Sequence, residues 1–211
     1  MIRAMMLLGA LFSANLPALA ASAAQPPVDS AVDALLSGYE LVPTAADWAR
    51  VGSTDDVAAK LMAVADDPGA GVAQVRAMSS LAHFPSLAVL TFLDSHARDA
   101  SLPARLRGKA LIAWAGVARE AAAPAIAQFL AEPDAALRED AARALRLLAA
   151  PEVAAFLRAR AAVEPVPYLQ EVLRGAATRV DSNREALVAK KASVPSVTMP
   201  RDVPRVTVTP R

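Results

Sequence analysis

The chain has 211 residues, enough for one domain with a core of its own plus appendages. Hydrophobic residues make up 55 % but aromatics only 4 %, and much of the apolar content is alanine; this favours close-packed helices and argues against a β-sandwich, which wants Val, Ile, Thr, Tyr and Phe. Basic residues number 22 and acidic 21, which gives no strong global field for a dedicated nucleic-acid binder, and zero cysteines exclude a disulfide framework, a thiolate metal site and a Cys nucleophile.

Residues 1–24 have the pattern of a secretory signal peptide. Arg3 precedes an apolar stretch centred on "MMLLGALF", and Ala18-Leu19-Ala20 and Ala21-Ser22-Ala23 both fit a small-x-small cleavage signal. The apolar core is short for a membrane span and is interrupted by Asn15 and Pro17. With no Cys near the cleavage region, no lipid-anchored form is expected. No other segment is expected to be long and apolar enough to cross a bilayer. Export to the periplasm or beyond is therefore predicted, and the lack of cysteine suits it.

Residues 25–43 form an N-terminal segment with one short helix, "DSAVDALLSGY", for which Asp29 and Ser30 are cap candidates and Gly38 the stop. "PTAADWARVG" offers Thr44 as N-cap with Asp47 three residues on, and Gly52 as its end. "STDDVAAKLMAVADDPG" places Asp55 and Asp56 in a first turn, where carboxylates suit the helix dipole, and Val57, Leu61 and Val64 follow at helical spacing. Seven more helical pieces follow, from "GVAQVRAMSSLAHF" to "PVPYLQEVLRGAATRV", and no strand with period-two alternation appears among them. From Asp181 to Arg211 the composition changes: prolines at 195, 200, 204 and 210, many Val, Thr and Ser, no helical periodicity. This tail is predicted to be disordered or extended; "PRVTVTP" has the make-up of a strand that could add to a partner's sheet edge.

Within the helical region a repeat is visible. Arg76, Arg107 and Arg138 are spaced 31 residues apart, each preceded by Val75, Leu106 or Leu137. In the two best copies one helix face reads Leu106, Ala110, Ala113, Trp114, Val117 and Leu137, Ala141, Ala144, Leu145, Leu148. The face is Ala-rich and narrow, so a second helix can lie close. A second apolar helix follows each copy, marked by Phe-Leu pairs at 92–93, 129–130 and 156–157. "YLQEVLRGAATR" is a worn fourth copy, with Tyr168 placed 31 residues after Leu137. A period near 30 residues built of two helices means an α-solenoid.

"LREDAARALRLLAAPEVAAFL" resembles HEAT-like repeats, especially the short bacterial, lyase-type form written Arg-x-x-Ala-x-x-Ala-Leu. The resemblance covers about residues 44–180, specific at 106–130 and 137–157 and degenerate at 75–93. It implies an all-α fold, a short right-handed superhelix of helix pairs. In that family an Asp commonly sits about six residues before the Arg. Here Glu132 holds that place before Arg138 and Ser101 before Arg107, so an Asp–Arg ladder cannot be assumed throughout.

The arginines are read as repeat-fixing residues that reach backbone carbonyls or acidic side chains, rather than as an anion-binding row. Ala110, Ala113, Ala141 and Ala144 are read as the residues that let helices stack. His83, at the position of Trp114 and Leu145, is expected to be a partly buried, hydrogen-bonded seam residue, and His96 to suit a helix C-terminus. Neither belongs to a His-Glu pair of the kind that holds iron in the hydroxylase branch of these repeats, since Phe84 and Ala97 follow them. The pairs Asp55-Asp56, Asp66-Asp67 and Glu139-Asp140 read as caps and solvated charge. No phosphate loop, nucleophile elbow or Ser-x-x-Lys motif appears. The expectation is a non-catalytic protein-interaction or scaffold module without cofactor or metal, binding an unidentified protein rather than nucleic acid or, once the leader is cleaved, membrane. Gln128, Arg158 and Arg160, on the second helices, are the candidate partner contacts. The alternative is an accessory subunit of an envelope enzyme or lyase-like complex that supplies no catalytic residue itself.

Overall fold

The computed structural model describes residues 27–38 and 42–193. The predicted leader and the motif "PRVTVTP" lie outside these residues. Among the described residues every regular element is helical. The α-helices are α1 (Val28–Ser37), α2 (Ala45–Trp48), α3 (Thr54–Asp66), α4 (Val72–Ser80), α5 (Leu87–Arg98), α6 (Ala104–Ala118), α7 (Ala123–Gln128), α8 (Ala135–Leu145), α9 (Pro151–Val163) and α10 (Pro167–Ala192).

Local chemistry sets most of the starts. Thr44 forms a capping box: its Oγ1 accepts from Asp47 N at 3.3 Å, and its own N–H donates to Asp47 Oδ2 at 2.8 Å. Ser53 caps α3, Ser86 caps α5 and Asp134 caps α8, each by accepting first-turn N–H groups. Prolines open α7, α9 and α10, where their missing N–H removes no helical bond. The expected caps of α1 are not used. That helix begins at Val28 with Pro27 at the N-cap, so Asp29 falls in its first turn, and Ser30 Oγ donates back to Pro27 O at 2.9 Å.

Sequential neighbours make the main contacts: α3 packs on α4, α4 on α6, α6 on α8 and α8 on α10. α5 lies on α6 and α9 on α10, while the short α7 touches α8 and α9. α1 closes one end against α3 and α4. The Ala-rich face lies where its pattern demands: Leu106, Ala110, Ala113, Trp114, Leu137, Ala141, Ala144, Leu145 and Leu148 are all buried. Each buried leucine contributes on the order of 1.5–3 kcal/mol. The helices approach closely enough that a Cβ at Gly108 of α6 would meet the Asp140 Cβ of α8 at 2.8 Å.

Four expectations need correction. In the first copy His83 is exposed and Val75 only half-buried; Ala77, Met78 and Leu81 form the buried line instead. α4 ends at Ser80 and tightens into a 3-10 turn over Leu81–His83, which rotates His83 off the face. The second helix of the next copy is fragmented into α7 and flanking 3-10 turns at Arg119–Ala122 and Phe129–Ala131. The tail does not begin at Asp181: α10 runs on to Ala192, because "EALVAKKA" is strong helix-forming sequence with no breaker. Finally, the run 104–131 is long and apolar enough to cross a membrane by length and composition. It is not one straight helix, since the backbone turns at Arg119 with φ 53°, and α6 is packed among α4, α5 and α8.

Candidate functional site

The repeated arginines build a ladder between successive helices. Arg107 donates from Nε to Ala97 O at 2.9 Å and from Nη2 to Glu132 Oε1 at 3.0 Å. Arg138 donates from Nη1 to the carbonyls of Glu132 and Pro133, both at 2.8 Å. Its Nε and Nη2 hold Glu164 as a two-pronged pair at 2.9 and 2.7 Å. Glu132 therefore links two rungs: its carboxylate takes the preceding arginine and its carbonyl takes the next. Glu164 also accepts from Arg160 Nε and Nη2, at 3.1 and 2.8 Å, and from Val166 N at 3.2 Å. The Arg138 hydrogen bonds, then those of Arg160 and Val166, outweigh desolvation and hold the Glu164 carboxyl down to about 2, from an ordinary 4.5. The same bond raises the Arg138 guanidinium. In the fourth copy Gln170 takes the arginine's place, one residue later than the period predicts, and donates to Glu164 O at 2.7 Å. Arg76 reaches back to Leu35 O at 3.4 Å.

By clamping the chain ahead of α10 to α8, the ladder sets the width of a groove between these two helices. The groove has a volume of about 860 Å³. α8 contributes Glu139 and Arg143, and Arg146 and Leu147 follow its end; α10 contributes Val172, Gly175, Ala176, Arg179 and Asn183, a single stripe at helical spacing. One end is tied by the Tyr168 hydroxyl, which donates to Glu139 Oε2 at 2.7 Å and is raised in pKa chiefly by that bond. At the other end Asn183 Nδ2 donates to Arg146 O at 3.0 Å and Leu148 O at 3.4 Å, capping the carbonyls that α8 leaves open. Arg143 is committed to Glu139 and Asp140. Arg146 and Arg179 make no ion pair among the described residues, and the Leu147 side chain beside them is exposed. A side chain at Gly175 would meet nothing within 4 Å, so the glycine leaves the groove open. The result is a shallow trough with a short apolar floor and two available guanidinium groups, suited to an extended or helical acidic segment.

The partner-contact candidates from the sequence do not converge. Gln128 is exposed at a small hollow beside Arg98, Arg107, Phe129 and Glu132. There Arg98 sits over Trp114 and Phe129, 5.8 and 5.7 Å from the ring centroids. Arg158 pairs with Asp181 on α10, and Arg160 belongs to the Glu164 cluster. His96 stacks on Phe92 and lies 3.3 Å from Asp66. Of the carboxylate pairs, Asp56 bonds Ser53 and Asp67 caps the turn at Gly69, while Glu139 and Asp140 take Arg143. The groove escapes sequence reasoning because its walls come from residues more than thirty positions apart. Its one legible trace is the stripe Val172, Ala176, Arg179, Asn183 around a glycine that a helix interior would not otherwise choose. No protein-family model matches the chain, and no curated protein or solved structure matches it either.

Proposed function

We propose that the protein is an exported, HEAT-like α-solenoid whose task is to bind another protein chain rather than to transform a substrate. The observation that carries this reading is the α8–α10 groove: open, floored by apolar groups, rimmed by Arg146 and Arg179, and held at fixed width by the Arg138–Glu164 clamp. Solenoids use such surfaces between rigid helices for recognition, with stability supplied by nearest-neighbour stacking. The ladder at 31- to 32-residue phase and the neighbour-to-neighbour packing of α4, α6, α8 and α10 support the repeat assignment. The leader pattern of residues 1–24 supports export.

Gly175→Phe tests the reading. The substitution fills the groove from a position with free space and improves helix propensity, so folding is retained. The wild-type protein, carrying a photo-crosslinker at position 175, should label a discrete protein in extracts of its native envelope. The Phe variant should lose that protein on co-purification at unchanged melting temperature. Retention of every bound protein by the Phe variant would place recognition elsewhere. N-terminal sequencing of the protein from the envelope fraction tests export, with cleavage near Ala23 expected.

A further inference from the structure

The charged residues are not spread evenly along the stack. Residues 27–67 carry eight acidic and two basic side chains, whereas residues 135–193 carry ten basic and seven acidic ones. The packing keeps these regions apart, because α1 and α3 form one end and α9 and α10 the other. At the acidic end the carboxylates are gathered. The start of α1 meets the start of α3 so tightly that a Cβ at Gly52 would lie 2.8 Å from Val28 Cγ2. Asp29 and Asp33 share Lys60 at 3.7 Å each, and the exposed Asp55 and Asp56 stand in the first turn of α3. At the other end the groove stripe of α10 continues beyond the end of α8, through the exposed Leu187 to Lys190.

We propose that the occupant of the groove is a second copy of this chain, docked head to tail: the acidic α1–α3 end of one molecule seats against Arg146, Arg179 and Leu147 of the next. The inference rests on the groove being a protein-binding surface, as argued above. Charge decides the partner. Residues 194–211 carry three arginines and one aspartate, so the chain's own C-terminal stretch has the wrong sign to neutralise the groove. The α1–α3 end has the right sign and is exposed. The two patches differ, so the contact is heterologous and does not close on itself after one pairing; assembly grows with concentration. Because the rim charges are solvent-exposed, attraction falls as salt shortens the screening length.

The test is sedimentation velocity of the purified mature protein over a concentration series, at about 20 mM and about 300 mM salt. The expected result is growing mass at low salt and an apparent Kd at least about tenfold weaker at high salt. Two charge-swapped proteins extend it, one with Arg146→Glu and Arg179→Glu, the other with Asp29→Lys and Asp55→Lys. Helix content and melting temperature confirm that each is folded. Each alone should stay monomeric, and mixing the two should restore association, because one then has two acidic ends and the other two basic ends. Association that ignores the swaps, or a wild-type monomer at every low-salt concentration, overturns the self-docking proposal. A wild-type monomer that still crosslinks a different protein from position 175 leaves the binding-module reading standing with a foreign acidic occupant. A monomer that crosslinks nothing removes both.

Discussion

Replacing Glu164 by Gln removes one negative charge from the centre of the ladder while keeping shape and mimicking the protonated acid. Glu164 is 2 % exposed, and its carboxylate takes N–H groups from Arg138, Arg160 and Val166. A carboxyl held at about 2 against an ordinary 4.5 corresponds to about 3 kcal/mol of stability at neutral pH. Arg160 is 22 % exposed and brings solvent to the edge of the cluster, so screening reduces this to about 2 kcal/mol. The Glu164 pKa is depressed on folding. Its contribution is therefore complete above the unfolded value of 4.5 and is lost as pH falls from there toward about 2. Urea unfolding of wild type and Glu164→Gln should differ by about 2 kcal/mol at neutral pH, with the gap narrowing steadily below pH 4.5. A gap that stays constant down to the lowest pH at which both proteins fold would refute the charged clamp. So would a gap under about 0.5 kcal/mol at neutral pH, the range of a surface pair.

Other substitutions probe different links. Arg138→Ala should cost about 3–5 kcal/mol, because Glu132 O, Pro133 O and the buried Glu164 all lose their donor; a melting temperature equal to wild type, with loss of a bound partner, would make this arginine a recognition residue instead. Gly108→Ala should destabilise by about 1–3 kcal/mol despite alanine's better helix propensity, since its Cβ would overlap Asp140; a stabilised variant in chemical denaturation would show that α6 and α8 are further apart than described. Arg119→Gly should raise the melting temperature by a few degrees, because a non-glycine residue at φ 53°, ψ −140° is strained by about 1–3 kcal/mol; calorimetry decides, and a fall would mean that the arginine side chain outweighs its backbone strain. Leu145→Asp puts an unpaired charge at a fully buried seam position and should abolish cooperative unfolding, whereas Leu187→Asp, half-exposed on α10, should shift stability by less than about 0.5 kcal/mol. Circular dichroism melts of the two variants side by side would expose a seam assigned to the wrong face.

The helical class, the buried face and most helix starts were legible because they depend on short-range rules. Thr44 with Asp47, and the Leu-Ala-Ala-Leu spacing from Leu137 to Leu145, each constrain the backbone within one or two turns. Arg138 was legible as a repeat-fixing residue, but its partner was not. Glu164 lies 26 residues downstream, and the acid at the family-like position, Glu132, gives its carboxylate to Arg107 instead. His83 failed for a related reason: a 31-residue period assigns it to the seam, and only the early end of α4 turns it outward. The 31-residue count also missed Gln170, because the loop before α10 is one residue longer than its counterparts.

What the residues determined alone was local: alanine at the seam, caps at the starts, an arginine at a fixed phase, and more acid near the beginning than near the end. Those properties need only neighbours within a few turns or a count of charges. The tertiary structure decided everything that depends on two distant segments meeting. It set which carboxylate each arginine holds, left Arg146 and Arg179 without partners, and made Gly175 an opening rather than a weak point in α10. The physical reason is that an ion pair or a groove is a property of distance in space, and helical periodicity specifies direction around one axis without specifying which axis lies alongside.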